Sequence, residues 1–398
     1  MNTIKPRAAM RVTGGLKRGV HSASGAIFLI LFLGFFAMFA SAMGLANAIS
    51  TMMNTAYDLL LSTVLYIMAL AVLAGAVSAL FAEFKVLELL NKLLSPLMRP
   101  LFGMPGAAAL GIMTTYLSDN PAVLSLADDK RYRRYFKDYQ IPALTNLGTA
   151  FGMGLIITAF MLGLGRGVGE NLGIAVLAGN LGAVCGGVLS TRLMLRHTAR
   201  VYGKAQSLVF QHKEAPCGLE AAAEGRPVGL RFIDSMLEGG KSGVKMGLDI
   251  IPGVLIICTL VMMLTNGPGA GGAYTGGAYE GIGLLPRLAD RIDFILKPLF
   301  GFTHTAGIAV PITALGAAGA AIGLVPQLVA NGQAAAGDIA VFTAMCMCWS
   351  GFLSTHVSMM NALHANRFLG KAILYHTLGG LLAGVAAHWL YLLLCLLP

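Results

Sequence analysis

Long uninterrupted apolar runs dominate the chain, where soluble helices and strands would show a one-sided stripe or an alternation. Runs long enough to cross a hydrocarbon layer, about 18 residues or more, fall at about 24–46, 58–81, 141–163, 171–192, 246–265, 338–362 and 372–396. Two further apolar stretches, 103–126 and 302–326, are interrupted by Gly and Pro. The ascending arm of the first, Met104 to Leu117, reaches about 21 Å as helix against a hydrocarbon core of about 30 Å. It is stopped by Ser118-Asp119-Asn120-Pro121, where Asp and Asn favour turns and Pro cannot continue the hydrogen-bond ladder. Backbone that leaves a helix at membrane depth must be surrounded by protein or a watery cavity, because lipid satisfies no free N–H or C=O. Both stretches are therefore predicted to enter and leave on one face. The expected fold is an all-α polytopic membrane protein with about seven spanning helices and two re-entrant helical hairpins.

Composition agrees: 56% of the residues are hydrophobic and 12% charged, which excludes a water-soluble enzyme. The formal charge of +10 reports orientation in such a chain. With both hairpins re-entrant, only Arg166, Arg287, Arg291 and Lys297 lie on one side and the other 24 Lys and Arg lie opposite. That asymmetry predicts a cytoplasmic N-terminus in a bacterial-type inner membrane. Spanning 103–126 instead would put Lys130, Arg131, Arg133, Arg134 and Lys137 on the wrong side. The basic start (Lys5, Arg7, Arg11, Lys17, Arg18) and the small residues Ala46-Asn47-Ala48 imitate a secretory signal, but the apolar run between them is too long for one, so it is read as an uncleaved first transmembrane helix. The six cysteines form no disulfide framework and no paired metal-ligand spacing.

The chain also matches itself. Arg99-Pro100-Leu101-Phe102-Gly103 returns as Lys297-Pro298-Leu299-Phe300-Gly301, 198 residues later, and at the same shift Ala109 meets Gly307, Thr115 meets Thr313 and Leu117 meets Leu315. Span, amphipathic helix, broken hairpin, span, span recurs in that order. Because the charge-derived topology starts the two copies on opposite sides, the repeat is inverted, with copies at 58–192 and 246–398 separated by a cytoplasmic loop at 193–245 and preceded by a tail and first helix at 1–57. Inverted repeats with paired discontinuous helices are the architecture of secondary transporters, whose site sits at the midplane between the copies.

The run Arg-Pro-Leu-Phe-Gly, the Ala/Gly-rich helix after it and Ser118-Asp-Asn-Pro-Ala-Val-Leu-Ser-Leu-Ala-Asp-Asp129 resemble the Gate domain, or nucleoside-recognition domain. That domain occurs in spore maturation proteins A and B, in the membrane part of ferrous iron transporters and, more remotely, in concentrative nucleoside transporters. The resemblance covers about 90–165 well and 288–392 more weakly. It implies helical hairpins paired around a central pathway, with tips at Ser118 to Pro121 and at Thr313 to Ala318. The second copy has Gly316-Ala317-Ala318 in place of Ser-Asp-Asn. No motif carries over residues that contact nucleoside, and neither the thiolate pair nor the GTP-binding domain of the iron transporters is present in the sequence.

Asp119 is the first candidate, since an intramembrane carboxylate is costly unless paired or hydrated. Ser118, Asn120 and the free N–H groups of the broken helix would bind a polar solute or a coupling cation with it. The plainer reading is a cap for the next helix. Thr145, Asn146 and Thr149 share a helix face, and Asn180 lies within a span, where an Asn needs a partner that is a ligand or another helix. In the second copy, Thr313 stands at the hairpin tip, and Ser350, Ser354 and Ser358 form a stripe beside His356, whose imidazole is suited to carry a proton or contact substrate. His376, His388 and His304 are weaker candidates. The pairs Gly182/Gly186, Gly319/Gly323 and Gly380/Gly384 read as close helix contacts. Gly239-Gly240-Lys241-Ser242 imitates a phosphate loop without its first glycine or its strand. The glycine-rich 267–281 reads as a flexible external loop. Arg131-Tyr-Arg-Arg-Tyr135 is assigned to lipid headgroups and not to nucleic acid.

Together these readings describe a secondary transporter or permease for a small polar solute, nucleoside-like or another metabolite, either coupled to Na⁺ or H⁺ or running downhill, with no resident cofactor or metal. Its partners are the small-molecule substrate and membrane lipids, with self-association into a homo-oligomer left open. The alternative is a non-transporting membrane assembly or sporulation-type accessory protein that docks through 193–245. An enzyme is not expected, since neither HExxH nor GxSxG occurs.

Overall fold

The computed structural model describes residues 12–119, 130–165, 168, 171–203, 227–269 and 271–396. Among them the structure is helical, and seven helical segments are long and apolar enough to cross a membrane. In chain order the elements are α1 (Val12–Met43), α2 (Leu45–Glu83), α3 (Val86–Leu97), α4 (Ala108–Leu117), α5 (Ala143–Thr149), α6 (Gly154–Gly163), α7 (Leu172–Tyr202), α8 (Val228–Thr265), α9 (Leu284–Asp290), α10 (Asp293–Phe300), α11 (Ala309–Ala314), α12 (Ala318–Ala330), α13 (Ala336–Cys348), α14 (Phe352–Ala362) and α15 (Leu369–Cys395). The chain is a multi-pass membrane protein. Ile27 to Leu33 of α1 and Leu61, Leu65 and Leu73 of α2 stand exposed, as lipid-facing side chains do.

Two expectations change. The apolar windows 58–81 and 246–265 are parts of much longer helices, 39 residues in α2 and 38 in α8. Hydropathy marks the stretch that lipid covers, whereas a helix ends where its backbone bonds end, so the polar turns of Leu45–Asp58 and Val228–Lys245 remained invisible as helix. For the same reason 193–245 is not one loop: α7 runs on to Tyr202 and α8 begins at Val228. Residues 204–226 lie outside the described ones. Gly239 to Ser242 sit inside α8, and a Cβ on Gly239 would lie 2.2 Å from the carbonyl oxygen of Gly75. These glycines serve a helix crossing, with Gly243 against Ala71 on the same seam. The other large seam joins α7 to α15, where a Cβ on Gly182 would sit 2.6 Å from the carbonyl oxygen of Ala383. Backbones this close are how small residues hold membrane helices together where no hydrophobic force separates helix from lipid.

The glycine-rich segment is also more ordered than expected. It folds over the far end of α2 around one carboxylate: Glu280 accepts from the Thr275 hydroxyl (2.6 Å), the Thr275 N–H (3.1 Å) and the Gly276 N–H (3.0 Å). Asn47 and Asn54 of α2 donate to the carbonyls of Tyr274 and Gly276, and Tyr279 donates its hydroxyl to Asp58. Glycine suits this loop because a Cβ on Gly269 would lie 2.7 Å from Glu280 Oε1. Burial pushes the Glu280 carboxyl up, but the Thr275 hydroxyl and the surrounding N–H groups outweigh it and hold it below the ordinary carboxylate range. A depressed carboxyl contributes stability above its unfolded value of about 4.3 and loses it as pH falls through the folded value. The loop is therefore expected to gain protease sensitivity as pH drops below about 4. Glu280→Gln should be equally sensitive at pH 4 and pH 7, and a variant as resistant as wild type at pH 7 would contradict the anchor.

The 198-residue repeat holds in the backbone. Left-handed residues recur at Lys85 and Gly283 (φ 58° and 61°), Gly103 and Gly301 (72° and 63°), and Met153 and Gly351 (54° and 63°). Thr115 bonds back to the Gly111 carbonyl as Thr313 does to that of Ala309. At the entry to the following span, Gln140 Oε1 accepts the Lys137 N–H, and Asp338 Oδ2 the Ala335 N–H. Each pair differs by 198, so both copies turn, enter and break at the same places although few side chains are shared.

Candidate functional site

Among the described residues three helical segments are interrupted near the centre, and α4 ends there as well. The first hairpin ends α4 at Leu117, with Ser118 turning away from helical geometry. Asp119 follows it half-buried, and Asn120 with the descending arm lies outside the described residues. The second hairpin is complete: α11 and α12 are separated by Leu315–Ala317, and its ascending arm is bent by 76° from α10. The span from Ala143 to Gly163 breaks at Ala150–Met153 between α5 and α6, and the span from Ala336 to Ala362 breaks at Trp349–Gly351 between α13 and α14.

Each hairpin packs at or next to the break of its own copy. Gly351 donates its N–H to the Ala314 carbonyl (3.0 Å), and a Cβ there would lie 3.0 Å from the carbonyl oxygen of Gly316. In the first copy the Tyr116 ring lies over Gly154, where a Cβ would be 2.1 Å away. The Tyr116 hydroxyl donates to Asn180 Oδ1 (3.0 Å) and lies 3.1 Å from the Thr158 hydroxyl, which Asn180 Nδ2 also reaches. The two breaks meet as well: Cys348 Sγ lies 3.6 Å from the Ala150 carbonyl oxygen. Cys348 and Ala150 are 198 residues apart, so residues equivalent by the repeat touch each other.

A polar chain surrounds that contact. Asn146 donates to Ser190 Oγ (2.8 Å) and to the Ala372 carbonyl, Ser190 Oγ is 3.0 Å from His376 Nδ1, and His376 Nε2 is 2.6 Å from the Cys348 carbonyl oxygen. The Cys348 carbonyl can only accept, so His376 Nε2 carries a proton toward it, and Nδ1 shares a hydrogen bond with the Ser190 hydroxyl. The His356 ring stands 4.7 Å from that of His376, and its Nδ1 donates to the Phe352 carbonyl. His356 Nε2, Thr145 Oγ1, Asn146 Oδ1 and Trp349 Nε1 are buried without a protein hydrogen-bond partner among the described residues.

The sequence candidates are thus distributed unevenly. Ser118 and Asp119 are at a tip, Ser350 is in a break, and Thr145, Asn146 and His356 are buried beside the breaks. Asn180 ties the first hairpin to α6 and α7, Thr313 bonds back within α11, and Ser354 and Ser358 are exposed along α14, with Ser354 donating to the Gly351 carbonyl. Sequence reasoning did not single out Tyr116, Thr158, Ser190 or Cys348. The shift of 198 contained the signal for Cys348, since Ala150 lies at the equivalent position. Tyr116→Phe is expected to cost about 0.5–1 kcal/mol through its lost hydroxyl bonds. A melting curve for that variant superimposed on wild type would remove the Tyr116 link from the site.

The two hairpins border different cavities. On the side where α2 ends and α8 begins, about 260 Å³ opens between the first hairpin and the α2/α8 crossing, with hydroxyls from Ser78, Thr114, Ser118 and Ser242 on its wall. Against the second hairpin, near Thr265, Asn266 and Gln327, lies a cavity of about 10 Å³.

Among solved structures the chain is similar to a doubly substituted variant of CNTnw in an outward-facing state, a concentrative nucleoside transporter structure, with 15% sequence identity, a TM-score of 0.51 and coverage of 83% of this chain and 76% of that one. A second CNTnw variant, also outward-facing, aligns over 94% of this chain and 87% of that one at 14% identity and a TM-score of 0.45. No protein-family model and no curated protein matches the chain. The first likeness establishes a concentrative-nucleoside-transporter-like fold, at a distance that speaks for architecture alone.

Proposed function

We propose that this protein is a secondary transporter for a small polar solute, whose site lies between the tips of the paired hairpins and the two broken spans. The observation that carries this reading is the convergence of three interrupted helical segments with the end of α4, each hairpin packed at or next to the break of its own copy and the two broken spans in contact. Backbone interrupted at that depth exposes N–H and C=O groups that only a polar ligand, water or neighbouring protein satisfies, and paired discontinuous helices are where secondary transporters bind substrate and coupling ion. Ser118, Asp119 and Asn120 supply the asymmetric polar tip, with Ser350 and the Nε2 of His356 on the other copy. The solute class is nucleoside-like or another neutral or weakly charged metabolite, and Na⁺ or H⁺ is the coupling ion. The basic side is assigned to the cytoplasm of a bacterial-type inner membrane, so the 260 Å³ cavity opens inward.

The test is thermal stability of the purified protein against nucleosides, amino acids, organic acids and metal ions, at two pH values and with or without sodium. A ligand of the native state at 100 times its dissociation constant stabilises by about 2.7 kcal/mol. A substrate hit that deepens with sodium or with lower pH names the coupling ion. A panel without any hit, together with no uptake into proteoliposomes under either gradient, would overturn the transporter reading.

A further inference from the structure

Beside the helical turn Met98–Phe102 that follows α3 lies a groove of about 570 Å³ bordered by Gly103, Tyr139, Arg192, Leu195, Arg196 and Arg200. The three arginines recur every four residues along α7 and so stand on one face of the helix. Arg192 is occupied: its guanidinium donates to the carbonyls of Leu101 and Pro100, the free end of the helical turn before Gly103. Arg196 and Arg200 are exposed, and among the described residues neither makes a hydrogen bond or ion pair. Among the described residues no carboxylate borders the groove. Two exposed guanidinium groups on one helix face suit an anion, and the planar fork matches the paired oxygens of a phosphate.

Position in the membrane selects the kind of phosphate. Arg192 closes the apolar part of α7, and at 1.5 Å per residue Arg196 and Arg200 stand about 6 and 12 Å beyond it; Arg196 is within the headgroup layer of about 5–8 Å that flanks the hydrocarbon core, and Arg200 is at its outer edge, where helix side chains tilt back toward the N-terminus and so toward the lipid. The carbonyls that hold Arg192 belong to a segment whose Leu97 and Leu101 are exposed, an apolar shelf at the level of acyl chains. A free phosphate has no use for that shelf, whereas a lipid uses both. We infer that an anionic phospholipid binds here, its phosphate on Arg196 and Arg200 and its chains along Leu101 and Leu97. The site is separate from the hairpin tips and stands whether or not the protein transports.

Native mass spectrometry of the full chain in detergent, after exposure to phosphatidylglycerol or phosphatidylcholine, tests this. Wild type is expected to retain phosphatidylglycerol in preference to phosphatidylcholine and to melt higher with it, and inorganic phosphate alone should not raise the melting temperature. R196Q/R200Q should lose retained phosphatidylglycerol by about tenfold or more, with R196K/R200K between the two because a point charge replaces the fork. Equal retention of the two lipids by wild type, or full retention by a monodisperse R196Q/R200Q protein, would overturn the site. Stabilisation by inorganic phosphate equal to that by phosphatidylglycerol would overturn the lipid assignment.

Discussion

Gly186→Leu should leave little folded protein. A Cβ at that position falls 2.4 Å from the Gly379 carbonyl oxygen and 2.7 Å from Ala383 Cβ, and the obstacle is backbone, so no side chain can swing away. The α7/α15 seam also holds Ser190 and His376 in register, and separating the helices breaks that polar chain along with the packing. An overpacked seam of this kind costs about 3 kcal/mol or more, and the expected outcome is an aggregated or early-melting species in detergent. Gly173→Leu is the matched control: it lies on the same helix with nothing within 4 Å of its Cβ and should melt with wild type. Identical melting of both variants would mean that α7 and α15 do not cross here.

Asp119→Ala should abolish uptake. A carboxylate at a hairpin tip represents about 3 kcal/mol of membrane cost, and an interaction of that size withdrawn from bound solute or cation corresponds to a loss of about a hundredfold. Asp119→Asn separates the two readings of this residue. Asn caps helices as well as Asp does, so a carboxylate that only caps would be replaced without loss, and a carboxylate that binds a cation would not. The expected result is a folded Asp119→Asn protein with uptake as low as the Ala variant. Full uptake in either variant would move the site away from the tip.

The features legible in the sequence are those written in composition over long windows. The spans and the two re-entrant stretches follow from hydropathy together with Gly and Pro, and the repeat announces itself at Arg99 to Gly103. Helix ends outside the lipid were not legible, because Leu45–Asp58 and Val228–Lys245 are amphipathic and polar enough to read as loop. The order of the glycine-rich loop was hidden because one residue, Glu280, organises it, and a single carboxylate among glycines has no periodic signature. At the centre, the sequence marked costly residues such as Asn180 and Asn146 but could not say what satisfies them. For Asn180 the neighbours are Tyr116 and Thr158, and for Asn146 they are Ser190 and the Ala372 carbonyl. Those partners come from other helices, and their distances along the chain carry no pattern.

The contact between Cys348 and Ala150 has a consequence for motion. Under the two-fold rotation that an inverted repeat implies, equivalent positions can touch only close to the rotation axis. If the two copies trade conformations to expose the site first on one face and then on the other, points near that axis are the fulcrum and keep their separation while the hairpins swing. A spin-label pair beside Ala150 and Cys348 should therefore report one unchanging distance through the whole cycle, and pairs that link a hairpin tip to the α2/α8 crossing should report two.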